Sequence, residues 1–207
     1  GQVNFYQNNI PLFTTGDVIQ PEEDVHTGLS LHPNPADVLI ISGGNPKVID
    51  ETLKYDVGNL TYIEMDPWLY GFVDRHMDIY ESGKLTVIKD DPIRYLERSK
   101  ATYDAVLVLV PTPSTTLLNR YYTTGFFELA KEHLDEGGIL SVGLSTTGNY
   151  MDDASLMSHS ILNETLRRYF ENVMIVPAGQ NYFLASDREL SYQIIQNIEE
   201  GEIHTTH

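Results

Sequence analysis

Apolar residues along the chain fall into short unbroken runs separated by stretches with helical spacing. Val38-Leu39-Ile40-Ile41 is such a run and suits a strand covered on both faces, as in a parallel sheet. The same pattern predicts strands near 38–42, 60–64, 85–88, 105–110, 139–143, 173–176 and 181–186, with the most hydrophobic run, 105–110, at the centre. Helices are predicted between them. Asn45-Pro46 starts one with an apolar stripe of Val48, Ile49, Thr52 and Leu53. Pro67-Trp68 starts another, running to about His76 with Leu69, Phe72 and Val73 on one side. A short helix follows from Ile93 to Arg98. Thr123-Thr124 opens a helix through Leu134, with Phe126, Phe127, Leu129 and Ala130 inward and Gly137-Gly138 as its stop. The longest, 154–170, places Leu156, Ile161, Leu162, Thr165, Leu166 and Phe170 on one face.

The flanks read differently. Residues 3–14 suggest a β-hairpin turning at Gln7-Asn8-Asn9. Gly16 to Asp24 looks irregular, and Val25 to Leu31 helical until the prolines of His32-Pro33-Asn34-Pro35 stop it. Pro177 to Asn181 suggests a hairpin that makes the last strand antiparallel, unlike the all-parallel dehydrogenase sheet. The tail from Arg188 reads as an acidic helix that frays. The expected architecture is α/β, a Rossmann-like doubly wound sheet behind a small hairpin. The expected division is 1–35 for hairpin and lead-in, 36–188 for the sheet domain and 189–207 for the tail.

Composition narrows the partners. With 13 Lys plus Arg against 30 Asp plus Glu, the net charge is −17, which argues against nucleic acid. The absence of cysteine excludes disulfides and thiol catalysis. No apolar run reaches the length of a membrane span and no signal peptide is seen, so this segment is expected to be soluble, cytoplasmic and free of membrane contact. Gly1 reads as a cleavage scar, so the ends are expected to be cuts in a longer parent chain, for which membrane attachment elsewhere stays open. A homodimer is compatible with the sequence. No metal-ligand spacing stands out; His204 and His207 lie in the tail without a nearby third ligand.

Chemistry gathers around residues 37–66. A glycine turn, Ser42-Gly43-Gly44, follows the first core strand, and an acid, Glu64, tips the next, about 20 residues on. Bare glycine backbone lets a nucleotide approach closely, and a strand-end acid accepts ribose hydroxyls. Asp90-Asp91 before Pro92 serves equally well as a helix cap.

FYQNNIPLF, VHTGLSLHPNP, VLIISGG, YIEMDP, DDPIRYL, the long YDAVLVLVPTPSTTLLNRYYTTGFFELAKEHLDEGGIL and NYFLASD follow one another in an order that resembles the polyamine aminopropyltransferases, the spermidine and spermine synthases. The likeness is greatest to spermidine-synthase-like domains of larger bacterial proteins. The resemblance implies a class I S-adenosylmethionine-dependent methyltransferase-like fold. It also implies a pocket for S-adenosylmethionine, its decarboxylated form or methylthioadenosine, beside a polyamine. In that frame Ser42, Gly43, Gly44 and Asn45 fall on the cofactor loop, Glu64 on the ribose acid and Asp91 on the adenine acid. His26 falls near a family His or Gln facing the site.

The departures carry the functional expectation. The family loop reads three glycines, aspartate, glycine; here Asn45, Pro46 and Lys47 follow Gly44. The family's catalytic aspartate position holds Leu109, and a second acid before a proline is Thr112. A polyamine nitrogen is protonated near neutral pH, and a positioned carboxylate both holds the cation and helps remove its proton. Leucine does neither. The resemblance with these losses points to a degenerate member that keeps the fold and a nucleoside site without polyamine synthesis. Two alternatives stand. One is an active aminopropyltransferase on an altered substrate, its base drawn from His26, Tyr121 or Tyr122. The other is a methyltransferase in which Lys47 pairs with the ligand carboxylate.

Overall fold

The computed structural model describes residues 3–7, 10–41, 45–66, 71, 83–113, 115–145 and 153–206. The expected helix from Pro67 to His76 lies almost wholly outside the described residues, as do Ser42, Gly43, Gly44, Asn8, Asn9 and His207.

A two-stranded antiparallel ribbon opens the chain: β1 (Asn4–Gln7) pairs with β2 (Ile10–Thr14). Helix α1 (Ile19–Leu29) leads into β3 (Asp37–Ile41), α2 (Lys47–Thr52), β4 (Asn59–Ile63) and β5 (Leu85–Ile88). Next come α3 (Pro92–Arg98), β6 (Tyr103–Val108), the short α4 (Thr116–Asn119) and α5 (Thr124–Glu132). The chain continues with β7 (Leu134–Leu144), α6 (Asp153–Leu166), β8 (Asn172–Pro177), β9 (Asn181–Ser186) and α7 (Ile194–Glu200). The seven-stranded sheet has the order β5-β4-β3-β6-β7-β9-β8. The pairs β5–β4, β4–β3, β3–β6 and β6–β7 are parallel, while β9 runs antiparallel to both its neighbours. The strand order reverses direction between β3 and β6, so a crevice opens beyond their carboxyl ends.

Both faces of the central strands are covered. Leu39, Ile41, Val106 and Val108 pack with Phe126, Phe127 and Ala130 of α5 and with Leu162 and Leu166 of α6. Val38, Ile40, Ala105 and Leu107 face the other way, onto Val25 and Leu29 of α1 and Val48 and Ile49 of α2. This explains why β3 and β6 lack polar alternation.

Four expectations change. Helix α1 begins at Ile19, inside the stretch expected to be irregular. Asp17 Oδ1 accepts the Gln20 N–H at 3.3 Å, and the buried acids Glu22 and Asp24 find tertiary partners. Helix α5 ends at Glu132, not Leu134, because the backbone at His133 and Leu134 already pairs with Tyr103 of β6. Gly137, at φ +75°, turns the chain between Leu134 and Ile139 rather than capping the helix. Helix α6 stops at Leu166, and Leu156 and Ile161 are exposed; His159, Leu162, Thr165 and Leu166 form its buried face. Finally, the tail is docked rather than frayed. Asn197 Nδ2 donates to the Ser30 carbonyl (3.0 Å), Thr206 N–H to Glu22 Oε1 (2.6 Å) and Lys54 Nζ to the His204 carbonyl (2.7 Å).

Candidate functional site

A cleft of about 230 Å³ lies beyond the carboxyl ends of β3, β6 and β7. Its sheet side is apolar, formed by Val108, Leu109, Val110 and Pro111, with Val48 and Phe13 beside them. Leu109 is held at the strand tip by its N–H, which donates to the Ile41 carbonyl at 2.8 Å. Thr112 is turned to structure: its Oγ1 accepts the Ser145 N–H at 2.9 Å, joining the ends of β6 and β7.

Asn45 lines this cleft two residues before α2, whose N-cap is Pro46 rather than Asn45 as expected; its Oδ1 accepts the Lys47 N–H at 3.1 Å. Lys47 reaches the segment that leaves the ribbon. Its Nζ donates to the backbone carbonyls of Thr15 (2.5 Å) and Asp17 (3.0 Å), tying the ribbon's exit to the sheet domain. Its charge is therefore engaged by backbone carbonyls.

Glu64 follows β4 directly and is buried. Its Oε1 accepts the Asp66 N–H at 2.9 Å and its Oε2 the Tyr62 hydroxyl at 3.3 Å. Asp91 follows β5 and caps α3, its Oδ1 accepting the N–H groups of Ile93 (3.0 Å) and Arg94 (3.1 Å). The same oxygen pairs with Arg120 Nη2 at 2.7 Å. Because β3, β4 and β5 are adjacent, Asn45, Glu64 and Asp91 succeed one another along one sheet edge. Neighbouring strands lie about 4.8 Å apart, so the row crosses roughly 10 Å of the sheet's carboxyl edge.

The other residues singled out from the sequence do not line the cleft. His26 is buried between α1 and α2, its Nδ1 at 2.9 Å from the Tyr55 hydroxyl and its Nε2 at 3.0 Å from Glu51 Oε2. Tyr121 is fully buried and packs edge-on against Phe126 at 5.4 Å. The Tyr122 hydroxyl lies 3.0 Å from the carbonyls of both Val110 and Gly143, and burial holds its proton on.

Reasoning from the sequence missed a strongly held carboxylate that lines the cleft, Asp24 of α1. Its Oδ1 accepts from the Tyr182 hydroxyl (2.7 Å), Gln20 Nε2 (2.9 Å) and Gln180 Nε2 (3.1 Å). Burial raises its pKa to about 6 against these three hydrogen bonds, which lower it. The signal was present: Gln20, Asp24 and Gly28 recur at four-residue spacing, one stripe of a helix. A Cβ on Gly28 would stand 2.9 Å from Ser141 Cβ, so this stripe presses closely on the sheet.

The sheet order with a single reversed strand defines a class I methyltransferase-like fold. Solved structures share it. Spermidine synthase from Thermotoga maritima superposes with TM-score 0.74 at 21% identity, over 94% of this chain and 67% of its own. Human methyltransferase-like protein 13 in complex with SAH gives 0.66 at 14% identity, over 91% and 92%. Residues 19–177 match the spermine/spermidine synthase domain, and the chain belongs to that family. The polyamine aminopropyltransferase of Leptospira interrogans is 30% identical over 156 residues, 68% of this chain and 31% of the relative. That of Korarchaeum cryptofilum is 30% identical over 145 residues, 68% of this chain and 45% of the relative. The chain thus spans less than half the length of these two relatives. Among the described residues, no helix is long and apolar enough to cross a membrane.

Proposed function

We propose that this domain binds a nucleoside of the S-adenosylmethionine type along the β3–β4–β5 edge and does not carry out polyamine synthesis. The observation that carries the second half is the apolar wall where the reacting amine would sit. Leu109 occupies the tip of β6 with its backbone bonded in the sheet, and Thr112 Oγ1 is committed to Ser145. Neither neutral side chain holds a protonated amine or helps remove its proton, and Asp24, a carboxylate that lines the cleft, stands on α1 rather than at the tip of β6 and already accepts three hydrogen bonds at Oδ1. His26, Tyr121 and Tyr122 do not line that space. The first half draws on the row of Asn45, Glu64 and Asp91 and on the fold neighbour solved in complex with SAH. A methyltransferase reading loses support because Lys47 bonds backbone carbonyls of the ribbon exit.

A thermal-shift panel tests the binding, since a ligand of the native state raises the melting point. Methylthioadenosine is expected to raise it, and Glu64→Ala to abolish the rise. Spermidine formation from putrescine and decarboxylated S-adenosylmethionine is expected to be undetectable, and Leu109→Asp alone is not expected to restore it. Turnover on the order of 1 s⁻¹ or more, typical of enzymes, overturns the reading.

A further inference from the structure

A groove of about 580 Å³ lies where α1 and α7 pack against one another, and it shares no lining residue with the cleft. Its floor is aliphatic, formed by Ile194, Ile195 and Ile198, with Ala178 of the β8–β9 turn beside them. Ile195 is 73% exposed. The carboxylates of the lining are Glu22, Glu23 and Glu199, and among the described residues no lysine or arginine lines it. Both ring nitrogens of His26, the other titratable residue there, are engaged with Tyr55 and Glu51. Ile19, Glu23 and Thr27 recur every four residues on α1, and Ile195 and Glu199 do so on α7. Each helix therefore sets apolar and acidic positions in one stripe. Bonds within the chain hold the walls. Asn197 Nδ2 ties α7 to the Ser30 carbonyl, Glu22 Oε1 accepts the Thr206 N–H and Glu23 Oε2 accepts the Gly179 N–H at 2.9 Å. A groove already formed costs less to occupy than one that must be ordered first.

We propose that the α1–α7 groove docks a basic amphipathic helix of a partner protein. The partner's apolar side chains, recurring every three or four residues, cover Ile194, Ile195 and Ile198, and its lysines or arginines meet Glu23 and Glu199. Charge complementarity selects this occupant. A second copy of the chain brings a further net charge of −17. The exposed apolar face of its α6, with Leu156, Met157 and Ile161, carries Asp153 and Glu164, and that helix contains no lysine or arginine. Laid in the groove, it would set acid against acid. An anionic lipid surface is repelled for the same reason. The inference is independent of the nucleoside reading and of the chemistry at the tip of β6.

The test is fluorescence anisotropy with two labelled peptides of leucine and lysine that share one composition. In the first the leucines form one face of a helix; in the second the order is shuffled and no apolar face forms. At about 0.15 M salt, where long-range attraction is screened, the protein is expected to bind the first at least about tenfold more tightly than the second. Ile195→Ser removes an exposed apolar contact and is expected to weaken the amphipathic peptide about tenfold, with an unchanged melting curve. Glu199→Gln is expected to weaken it about threefold and to flatten its salt dependence. Met157→Ser, on the exposed face of α6, is expected to leave binding unchanged. Equal binding of the two peptides would mean attraction to the acidic surface at large and would overturn the proposal. So would no binding of the amphipathic peptide, undiminished binding by Ile195→Ser, or an equal loss in Met157→Ser. Sedimentation of the protein and flotation with phosphatidylserine vesicles cover the other occupants. A dimer, or vesicle binding, that Ile195→Ser abolishes would give the groove to a second copy or to lipid and reject the partner helix.

Discussion

Asp24 should make the protein less stable at neutral pH than it would be without the charge. Its carboxyl is raised from the ordinary 3.8 to about 6, with burial as the largest cause. The folded protein therefore holds this proton more tightly than the unfolded chain does. As pH rises through 4 to 6 the unfolded chain ionises first, so stability falls across that window and stays lower above it. At 1.36 kcal/mol per pH unit the difference is about 3 kcal/mol. At 8% exposure, solvent screening reduces it little. Asparagine resembles the protonated acid in shape and bears no charge. Asp24→Asn is therefore expected to stabilise the protein at pH 7.5 by up to about 3 kcal/mol, or about 6–12 °C in melting temperature for a chain of this size. At pH 4 the gain should vanish. The assay is a melting series of wild type and variant from pH 4 to 8, compared as a difference so that other titrating groups cancel. A variant that melts lower at pH 7.5, or a difference that does not change with pH, would refute the reasoning. Confirmation would mean that the chain keeps a destabilising charge in the cleft.

Two further outcomes concern the frame that holds the site. Gly28→Ala places a methyl group 2.9 Å from Ser141 Cβ, and urea unfolding should show a loss of about 1–3 kcal/mol despite the better helix propensity of alanine. An unchanged or higher urea midpoint would show that α1 can ride away from the sheet. Lys47→Met removes the donor to the carbonyls of Thr15 and Asp17, so limited proteolysis should cut residues 14–18 faster while the melting temperature stays within about 3 °C. An unaltered cleavage rate there would mean that the ribbon exit is held by other contacts.

The sheet was readable in the chain because both faces of its central strands are covered. Burial on two sides demands unbroken apolar runs, and Val38–Ile41 and Ala105–Val108 carry them. The reversed last strand was readable too, from the turn residues between Val176 and Tyr182. Local chemistry likewise announced Asn45 and Asp91 as acceptors at helix starts. What the sequence could not reveal depended on distant partners. Residues 16–24 look irregular because polar side chains are weak helix signals. Tyr182, 158 residues away, and Thr206 satisfy Asp24 and Glu22 and make burial of that helix possible. The acidic tail likewise looked unanchored until Ser30, Lys54 and Glu22 supplied its partners. The same holds for the cleft. Leu109 was visible as a missing acid, but the presence of Asp24 beside it is set by how closely a helix can approach a sheet over Gly28. Periodicity records which face of a helix is buried; only the packed structure decides what that face meets.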